Sequence, residues 1–278
     1  MDTITKNEVK NVLKKRHRNI HKGDCGRVLI VAGSPGMAGA AALGAMGALR
    51  SGAGLVTVSI DETLFPIVQS LVPCATCVTR AAIEEDIERW DAIAIGPGLG
   101  TDEGAVKTLE SVLGAYAGIA VIDADALNIM AARGLDLRKS AVRAIFTPHA
   151  GEAARLLGTE PRAIESDRAD AACALAERFH AIAVLKGSET LVASPDGNTS
   201  VNPTGNPGMA TGGSGDVLSG VIASFAGQGF GARAAARAGV YIHGLAGDIK
   251  ADEIGEYGLI ATDIADTLPK AIQTVNHG

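Results

Sequence analysis

The sequence has few aromatic residues and no excess of positive charge. Aromatic residues make up 3% of the 278 residues, so the core must be built mainly from Ala, Val, Leu and Ile. The 31 Asp and Glu outnumber the 25 Lys and Arg, which gives a net charge of −6. Nucleic acids and anionic membrane surfaces attract basic proteins, so the composition predicts neither as a partner.

Cysteine is scarce as well. The four cysteines, Cys25, Cys74, Cys77 and Cys173, are too few for a disulfide scaffold in a chain of this length. Cys74 and Cys77 form a C-x-x-C motif, but no second Cys or His pair completes a zinc set. We interpret them as small core or sheet-edge residues, and the metal and redox alternatives stay open.

Long apolar runs are absent, and glycine is abundant. No run reaches the roughly 18 to 20 residues of a membrane span, and residues 1–21 are polar and basic, unlike a signal peptide. A cytoplasmic location is therefore expected. Glycine accounts for 35 residues, roughly twice its average share. Because glycine permits positive φ and close backbone approach, its clusters are candidate functional loops.

Short aliphatic runs alternate with Ala-rich amphipathic stretches from residue 27 to residue 192, which is typical of βα units. Because the runs are apolar throughout, the predicted sheet is parallel and covered on both faces. Strands are predicted at 28–32, 55–60, 92–95, 119–122, 144–147, 182–185, 190–193 and 199–201. Helices are predicted near 38–52, 102–115, 125–133, 151–158, 166–179, 214–228, 231–249 and 261–275. With no linker or repeat, we expect one α/β domain over residues 1–278.

The strongest local motif is the glycine-rich loop from Asn202 to Gly213, which leads into an apolar helical stretch. Gly212, Gly213 and Gly215 surround the predicted helix start, where free N–H groups and the helix dipole attract anions. Asp216 follows in the first turn, where it can take a proton from a hydroxyl that attacks a phosphoryl group. Alternatively, the glycines only make a turn and Asp216 only stabilises the helix start; the local sequence leaves both interpretations open.

Further candidate residues follow the predicted strands. The turn Gly96-Pro-Gly-Leu-Gly100 and the pair Asp123 and Asp125 occupy the strand ends where ligands bind in open α/β sheets. Carboxylates there suit Mg²⁺, although Asp125 as a helix N-cap and Asp123 as a turn residue are the favoured local alternative.

Two more strand ends carry polar residues. His149 and Glu152 open the next helix, where His149 can donate to a carbonyl or phosphate group and Glu152 can hold a metal-bound water. A lone histidine is usually structural. Lys186 follows the last apolar strand and can contact a phosphate. A solvated lysine at the sheet edge is the alternative there.

Taken in order, these motifs resemble the ADP-dependent NAD(P)H-hydrate dehydratases, a branch of the ribokinase-like superfamily. The resemblance extends from about Lys15 to Ala271. The resemblance implies a three-layer α/β/α sandwich with a mostly parallel central sheet. The matching segments are 22–34, 36–40, Gly96–Gly100, Asp123–Asn128, Thr147–Glu152, Lys186–Gly187 and Gly212–Asp216.

The resemblance implies repair of hydrated nicotinamide cofactors. ADP, or ATP in some branches, phosphorylates the C6 hydroxyl of the S epimer of NADHX or NADPHX, and loss of phosphate restores NAD(P)H. By this resemblance Asp216 is the base and also contacts the hydrate. The resemblance also implies that the hydrate contacts Ala40, Gly100 and His149, and that the nucleotide contacts Lys186, Gly187, Ser188, Glu189, Thr190 and Gly215. It further implies that the anion hole is formed by Gly212, Gly213 and Ser214, and that Mg²⁺ is held by Glu152 and Asp123.

The resemblance also implies partners. Relatives often form homotetramers, and many carry an N-terminal epimerase domain. About 25 residues precede the first predicted strand, so the epimerase is expected to be a separate partner. A ribokinase-like kinase of a vitamin precursor is the alternative enzyme, and a nucleotide-binding regulator without turnover is the alternative from another class.

Overall fold

The computed structural model describes residues 1–13, 15–83 and 85–277. Ten strands form one sheet. The strands are β1 Asp2–Thr3, β2 Arg27–Val31, β3 Leu55–Ser59, β4 Thr76–Val78, β5 Ala92–Ile95, β6 Ile119–Ile122, β7 Arg143–Phe146, β8 Ile182–Leu185, β9 Leu191–Ala193 and β10 Thr199–Val201.

Eleven α-helices lie in the described parts of the chain. They are α1 Lys6–Val12, α2 Ala38–Arg50, α3 Phe65–Leu71, α4 Glu103–Ala115, α5 Asp125–Arg133, α6 Ala150–Leu157, α7 Pro161–Ser166, α8 Arg168–Phe179, α9 Ser214–Gly227, α10 Ala232–Ile254 and α11 Ala261–His277. Among these residues, none of the helices is long and apolar enough to cross a membrane.

The strand order in the sheet is β1-β10-β9-β8-β7-β6-β5-β2-β3-β4. Strands β8, β7, β6, β5, β2, β3 and β4 run parallel, and β9 is antiparallel to both of its neighbours. Parallel neighbours end at the same edge of the sheet, so the loops that follow β5 to β8 come together there. This edge holds the candidate site.

Each face of the sheet has its own hydrophobic core. Alternate residues of β2 show the division: Val28 and Ile30 belong to the core that includes residues of α2, α9, α10 and α11, whereas Leu29 and Val31 belong to the core that includes residues of α4, α5, α6 and α8. Aliphatic side chains fill both cores, as the shortage of aromatic residues predicts. The predicted three-layer α/β/α sandwich with a mostly parallel central sheet is confirmed.

Several elements were not predicted from the sequence. The segments that form β1, α1, α3, β4 and α7 carry only short or irregular apolar patterns, and tertiary pairing decides their structure. Cys77 lies in the edge strand β4, partly buried, as predicted for an edge residue. Cys74 is exposed in the turn before that strand. Helix α10 runs to Ile254, five residues beyond its predicted end.

Part of the glycine excess serves helix packing rather than loops. A Cβ on Gly220 of α9 would lie 2.0 Å from the Gly44 carbonyl oxygen in α2, and a Cβ on Gly47 would lie 2.3 Å from the Val217 oxygen. Such distances are far below van der Waals contact, so the backbones of α2 and α9 touch directly. This contact places the first turn of α9, which carries Asp216, beside α2.

Gly220→Ala is expected to lower the free energy of unfolding by about 3 kcal/mol, because the added methyl group meets rigid backbone. Alanine's higher helix propensity offsets only about 1 kcal/mol of that clash. The matched control is Gly114→Ala in α4, where a Cβ meets nothing within 4 Å and a small stabilisation is expected. Urea unfolding midpoints compare the two variants, and equal stability would contradict the direct backbone contact.

Candidate active site

The candidate site lies at the carboxyl end of the parallel strands, opposite the first turn of α9. Asp123 follows β6, His149 follows β7 and Lys186 follows β8, and these three strands are neighbours in the sheet. Gly215 packs against Lys186, since a Cβ on Gly215 would lie 3.3 Å from its Nζ. The fold therefore brings together four segments that the sequence separates.

A buried ion pair lies at the centre of the site. Lys186 Nζ donates to Asp123 Oδ1 at 2.8 Å and lies 3.8 Å from Glu152 Oε2. Burial alone would lower the pKa of Lys186, but the carboxylates of Asp123, Glu152 and Asp216 raise it overall. Lys186 is thus a charged, mostly buried ammonium. The alternative of a solvated edge lysine is wrong.

Three protein donors hold the Asp123 carboxylate. Its Oδ1 also accepts from the Ala124 N–H at 2.9 Å, and its Oδ2 accepts from Ser219 Oγ at 2.7 Å. Ser219 lies on α9, three residues after Asp216. Asp123 therefore fixes both the lysine and the first turns of α9.

Asp216 is the electrostatically unusual carboxyl of the site. Burial raises its pKa from 3.8 to about 7, and the negative charges of Asp123 and Asp125 act in the same direction. The ammonium of Lys186 opposes the shift. A carboxyl group that titrates near neutral pH is suited to accept a proton during a reaction.

The N-terminus of α9 is open to an anion. Gly213, with φ +90°, ends the loop, and Ser214 begins the helix. Within the described residues, the N–H groups of Gly213, Gly215 and Asp216 make no hydrogen bond. Together with the helix dipole, these donors form a cradle for a phosphoryl group.

His243 supports this helix start from α10. It is buried, and its Nε2 lies 3.0 Å from the Ser214 carbonyl oxygen. Burial lowers the pKa of His243 to about 4, so the imidazole is neutral and its Nε2–H donates. The local sequence around His243 does not indicate this role, because its partner lies 29 residues away on another helix.

His149 and Glu152 form a capping box on α6. His149 Nδ1 accepts from the Gly151 N–H at 3.0 Å, and Glu152 Oε2 accepts from the His149 N–H at 2.8 Å. The Nε2 of His149 therefore carries the proton when the ring is neutral, and it lies 3.3 Å from Glu152 Oε1. The histidine side chain is 55% exposed. It remains accessible as a donor to a ligand.

Asp125 does not cap α5 as the local pattern favoured. Ala124, with φ +49°, occupies the N-cap position, and Asp125 is the first helical residue. Its Oδ2 accepts from the Gly100 N–H at 2.9 Å. Asp125 thus holds the loop that follows β5, and this loop lies beside Asp216, the candidate base.

The predicted nucleotide loop is exposed. Gly187 adopts φ +146° and Glu189 φ +53°, and Thr190 Oγ1 donates to the Gly187 oxygen at 3.1 Å. Arg168 donates to the Leu185 oxygen at 3.2 Å from beneath the loop. The strained turn presents residues 187–189 to solvent next to Lys186.

Arg80 joins two loops of the site. Its Nη2 donates to the Gly33 oxygen at 2.7 Å and to the Leu99 oxygen at 3.1 Å. These carbonyls belong to the loops after β2 and β5; the first loop leads into α2, which carries Ala40, and the second carries Gly100. Nothing in the local sequence around Arg80 indicates this, because its partners lie 47 and 19 residues away.

Asp123 and Glu152 do not fit a directly bound magnesium ion. The Lys186 ammonium lies against both carboxylates, at 2.8 and 3.8 Å, and a second cation there would meet its charge. In residues 1–13, 15–83 and 85–277, no group of three or more His, Cys, Asp or Glu side chains is arranged to hold a metal. Their predicted role as metal ligands is therefore not retained.

Comparisons with known proteins identify the family of the chain. The model of a family described as NAD(P)H-hydrate dehydratase matches residues 28–270. The chain is 43% identical over 276 residues to a bifunctional NAD(P)H-hydrate repair enzyme of Moorella thermoacetica, covering 95% of this chain and 52% of that protein. It is 40% identical over 265 residues to an ADP-dependent (S)-NAD(P)H-hydrate dehydratase of Neisseria meningitidis, covering 92% and 88%.

A solved structure shows the same architecture. It is the ADP/ATP-dependent NAD(P)H-hydrate dehydratase of Bacillus subtilis, co-crystallised with ATP and Mg²⁺, at a TM-score of 0.91 and 32% identity, covering 99% of this chain and 98% of that one. The chain spans about half the length of the bifunctional relatives that it matches. On the family match and these identities, the chain belongs to the NAD(P)H-hydrate dehydratase family.

Proposed function

We propose that this chain dehydrates the S epimer of hydrated NADH and NADPH, using ADP as phosphoryl donor and releasing AMP and phosphate. The observation that carries the proposal is the Asp216 carboxyl, with its pKa raised to about 7, at the open N-terminus of α9. Family membership supports the substrate and the donor.

The first step is phosphoryl transfer to the C6 hydroxyl of the hydrate. Asp216 takes the hydroxyl proton while the oxygen attacks the terminal phosphorus of ADP, and the bond to AMP breaks. The N–H groups of Gly213, Gly215 and Asp216 donate to the transferring group, where negative charge must be stabilised. Gly212 and Ser214 complete the proposed anion hole by shaping this turn.

The second step is elimination. Hydroxide is a poor leaving group and phosphate a good one, so the C6–O bond breaks once the oxygen is phosphorylated. A proton leaves the neighbouring carbon, and the double bond of dihydronicotinamide is restored. We propose that Ala40, Gly100, His149 and Asp216 contact the hydrate, and that Lys186, Gly187, Ser188, Glu189, Thr190 and Gly215 contact the nucleotide.

The decisive experiment mixes the purified protein with NADHX, Mg²⁺ and either ADP or ATP. Recovery of dihydronicotinamide absorbance, with one phosphate released per molecule restored, is expected. Nucleotide consumption without absorbance gain would identify a kinase instead. Nucleotide binding with neither signal would identify a regulator. The two nucleotide arms also decide the donor.

Other features stay predictions of the family resemblance. The R epimer requires a separate epimerase before this site can use it, and adding one is expected to increase the recovered fraction. A homotetramer and a cytoplasmic location are also predicted. Sedimentation of the purified chain measures the first of these.

A further inference from the structure

A cavity of about 420 Å³ adjoins the candidate site on the side away from α9. Thr101, Asn128, Arg133 and Arg155 supply its polar lining, and apolar side chains of α4 and α5 supply the rest. We call it the α5–α6 cavity. We propose that it binds a phosphate group of the ADP-ribose half of the dinucleotide substrate, an inference that rests on the proposed function.

Residues that line the cavity lie close in sequence to residues of the candidate site. Thr101 directly follows Gly100, whose N–H donates to Asp125. Asn128 lies one helical turn beyond Asp125 on α5, and Arg155 lies one turn beyond Glu152 on α6. Both helices begin at the site and are packed against each other, so the cavity between them lies within reach of a long ligand bound at the site.

The distance of the cavity from the site suits a dinucleotide. Arg133 lies eight positions after Asp125, which is about 12 Å along α5. The reacting ring is only one end of the substrate, and the ADP-ribose half must extend out of the site. That half carries a diphosphate, and in NADPHX it also carries a 2′-phosphate. Binding of these negatively charged phosphates therefore requires cationic side chains about 12 Å from the site.

The charges around the cavity favour an anion. Arg155 Nη1 donates to Asn128 Oδ1 at 3.0 Å, and in the described part of the chain no carboxylate lies within ion-pair distance of Arg155. Arg155 is an exposed residue. Arg133 forms an ion pair with Glu103 and adds a second guanidinium. Guanidinium groups bind phosphate in a planar, two-donor geometry.

The test measures steady-state kinetics of Arg155→Gln and of Arg133→Gln/Arg155→Gln with NADHX and with NADPHX. The KM for hydrate is expected to rise about tenfold in the single variant and further in the double variant. The KM for ADP and kcat are expected to stay within about twofold of wild type. Arg138→Gln is the control, because Arg138 is exposed and precedes β7 at the opposite end of the sheet.

The two substrates identify the phosphate. A rise in KM for both hydrates assigns the diphosphate to the cavity, and a rise for NADPHX alone assigns the 2′-phosphate. Hydrate KM values equal to those of Arg138→Gln would overturn the proposal, as would a rise confined to ADP. Failure of the wild-type protein to restore NADH would instead overturn the proposed function, so the two failures are distinguishable.

Discussion

Asp216→Asn is expected to lower turnover by roughly 10³-fold, because it removes the proposed base but keeps the size and shape of the side chain. ADP binding is expected to persist, since the N–H groups at the start of α9 belong to the backbone. Turnover is measured by recovery of dihydronicotinamide absorbance, and ADP binding by calorimetry. Asp252→Asn, an exposed position near the end of α10, is the matched control.

The raised pKa gives this prediction a dependence on pH. For the wild-type protein, kcat/KM is expected to fall about tenfold per unit as the pH drops below about 7, because the base becomes protonated. Above that pH the profile should level off. Near-wild-type turnover in Asp216→Asn, or a wild-type profile that stays flat between pH 5 and pH 8, would contradict the assignment of Asp216 as base.

The same variant is expected to be more stable than the wild type at pH 8. The folded-state pKa of Asp216, about 7, exceeds the ordinary aspartate value of 3.8, so between these pH values the folded protein holds a proton that the unfolded chain has lost. Wild-type stability from this group is therefore lost as the pH rises through that window, by roughly 2 to 4 kcal/mol in total. Asparagine carries no charge, so thermal unfolding midpoints of the two proteins should converge near pH 4.

Lys186→Ala is expected to reduce the free energy of unfolding by about 3 to 5 kcal/mol at neutral pH. Asp123 is 1% exposed, and its carboxyl group would be left with only Ser219 and a backbone N–H as donors. From the sequence alone, the expected effect is mainly weaker nucleotide binding. The buried ion pair adds a loss of stability to that effect, and the two must be separated.

The double variant Asp123→Asn/Lys186→Met separates them. It removes both charges, so stability is expected to recover much of the loss. ADP affinity should stay low if Lys186 contacts the nucleotide, because the ammonium is still missing. Urea unfolding and calorimetry with ADP measure the two properties. Wild-type stability in the single variant would contradict the buried ion pair, and restored ADP affinity in the double variant would contradict the nucleotide contact.

The sequence predicts the fold well where the pattern is local and repeated. Strand β6, for example, is predicted at 119–122 and forms over Ile119–Ile122. A short apolar run followed by Asp is typical of a buried parallel strand in an α/β chain. The short strand β4 was missed because its three residues pair only with β3. Its structure depends on a neighbour that is distant in sequence.

The candidate site shows the same division. The positions of Asp216 and the glycines before it followed from a helix start after a glycine-rich loop, which is a local feature. The roles of Asp123 and Lys186 did not, since 63 residues separate the two partners of their ion pair. Arg80 and His243 carry no local signal at all. The role of each depends on carbonyl groups that only the fold places next to its side chain.

The sequence by itself determined the βα alternation, the family and the strand ends that carry polar residues, because hydrophobic periodicity and turn chemistry act over a few residues. The tertiary structure decided which of those groups meet and how they are charged. Burial and neighbouring charges set the pKa of Asp216. The packing of distant segments brings Ser219 to Asp123 and forms the cavity beside Arg155. Such effects depend on distances through space, which the order of residues along the chain does not contain.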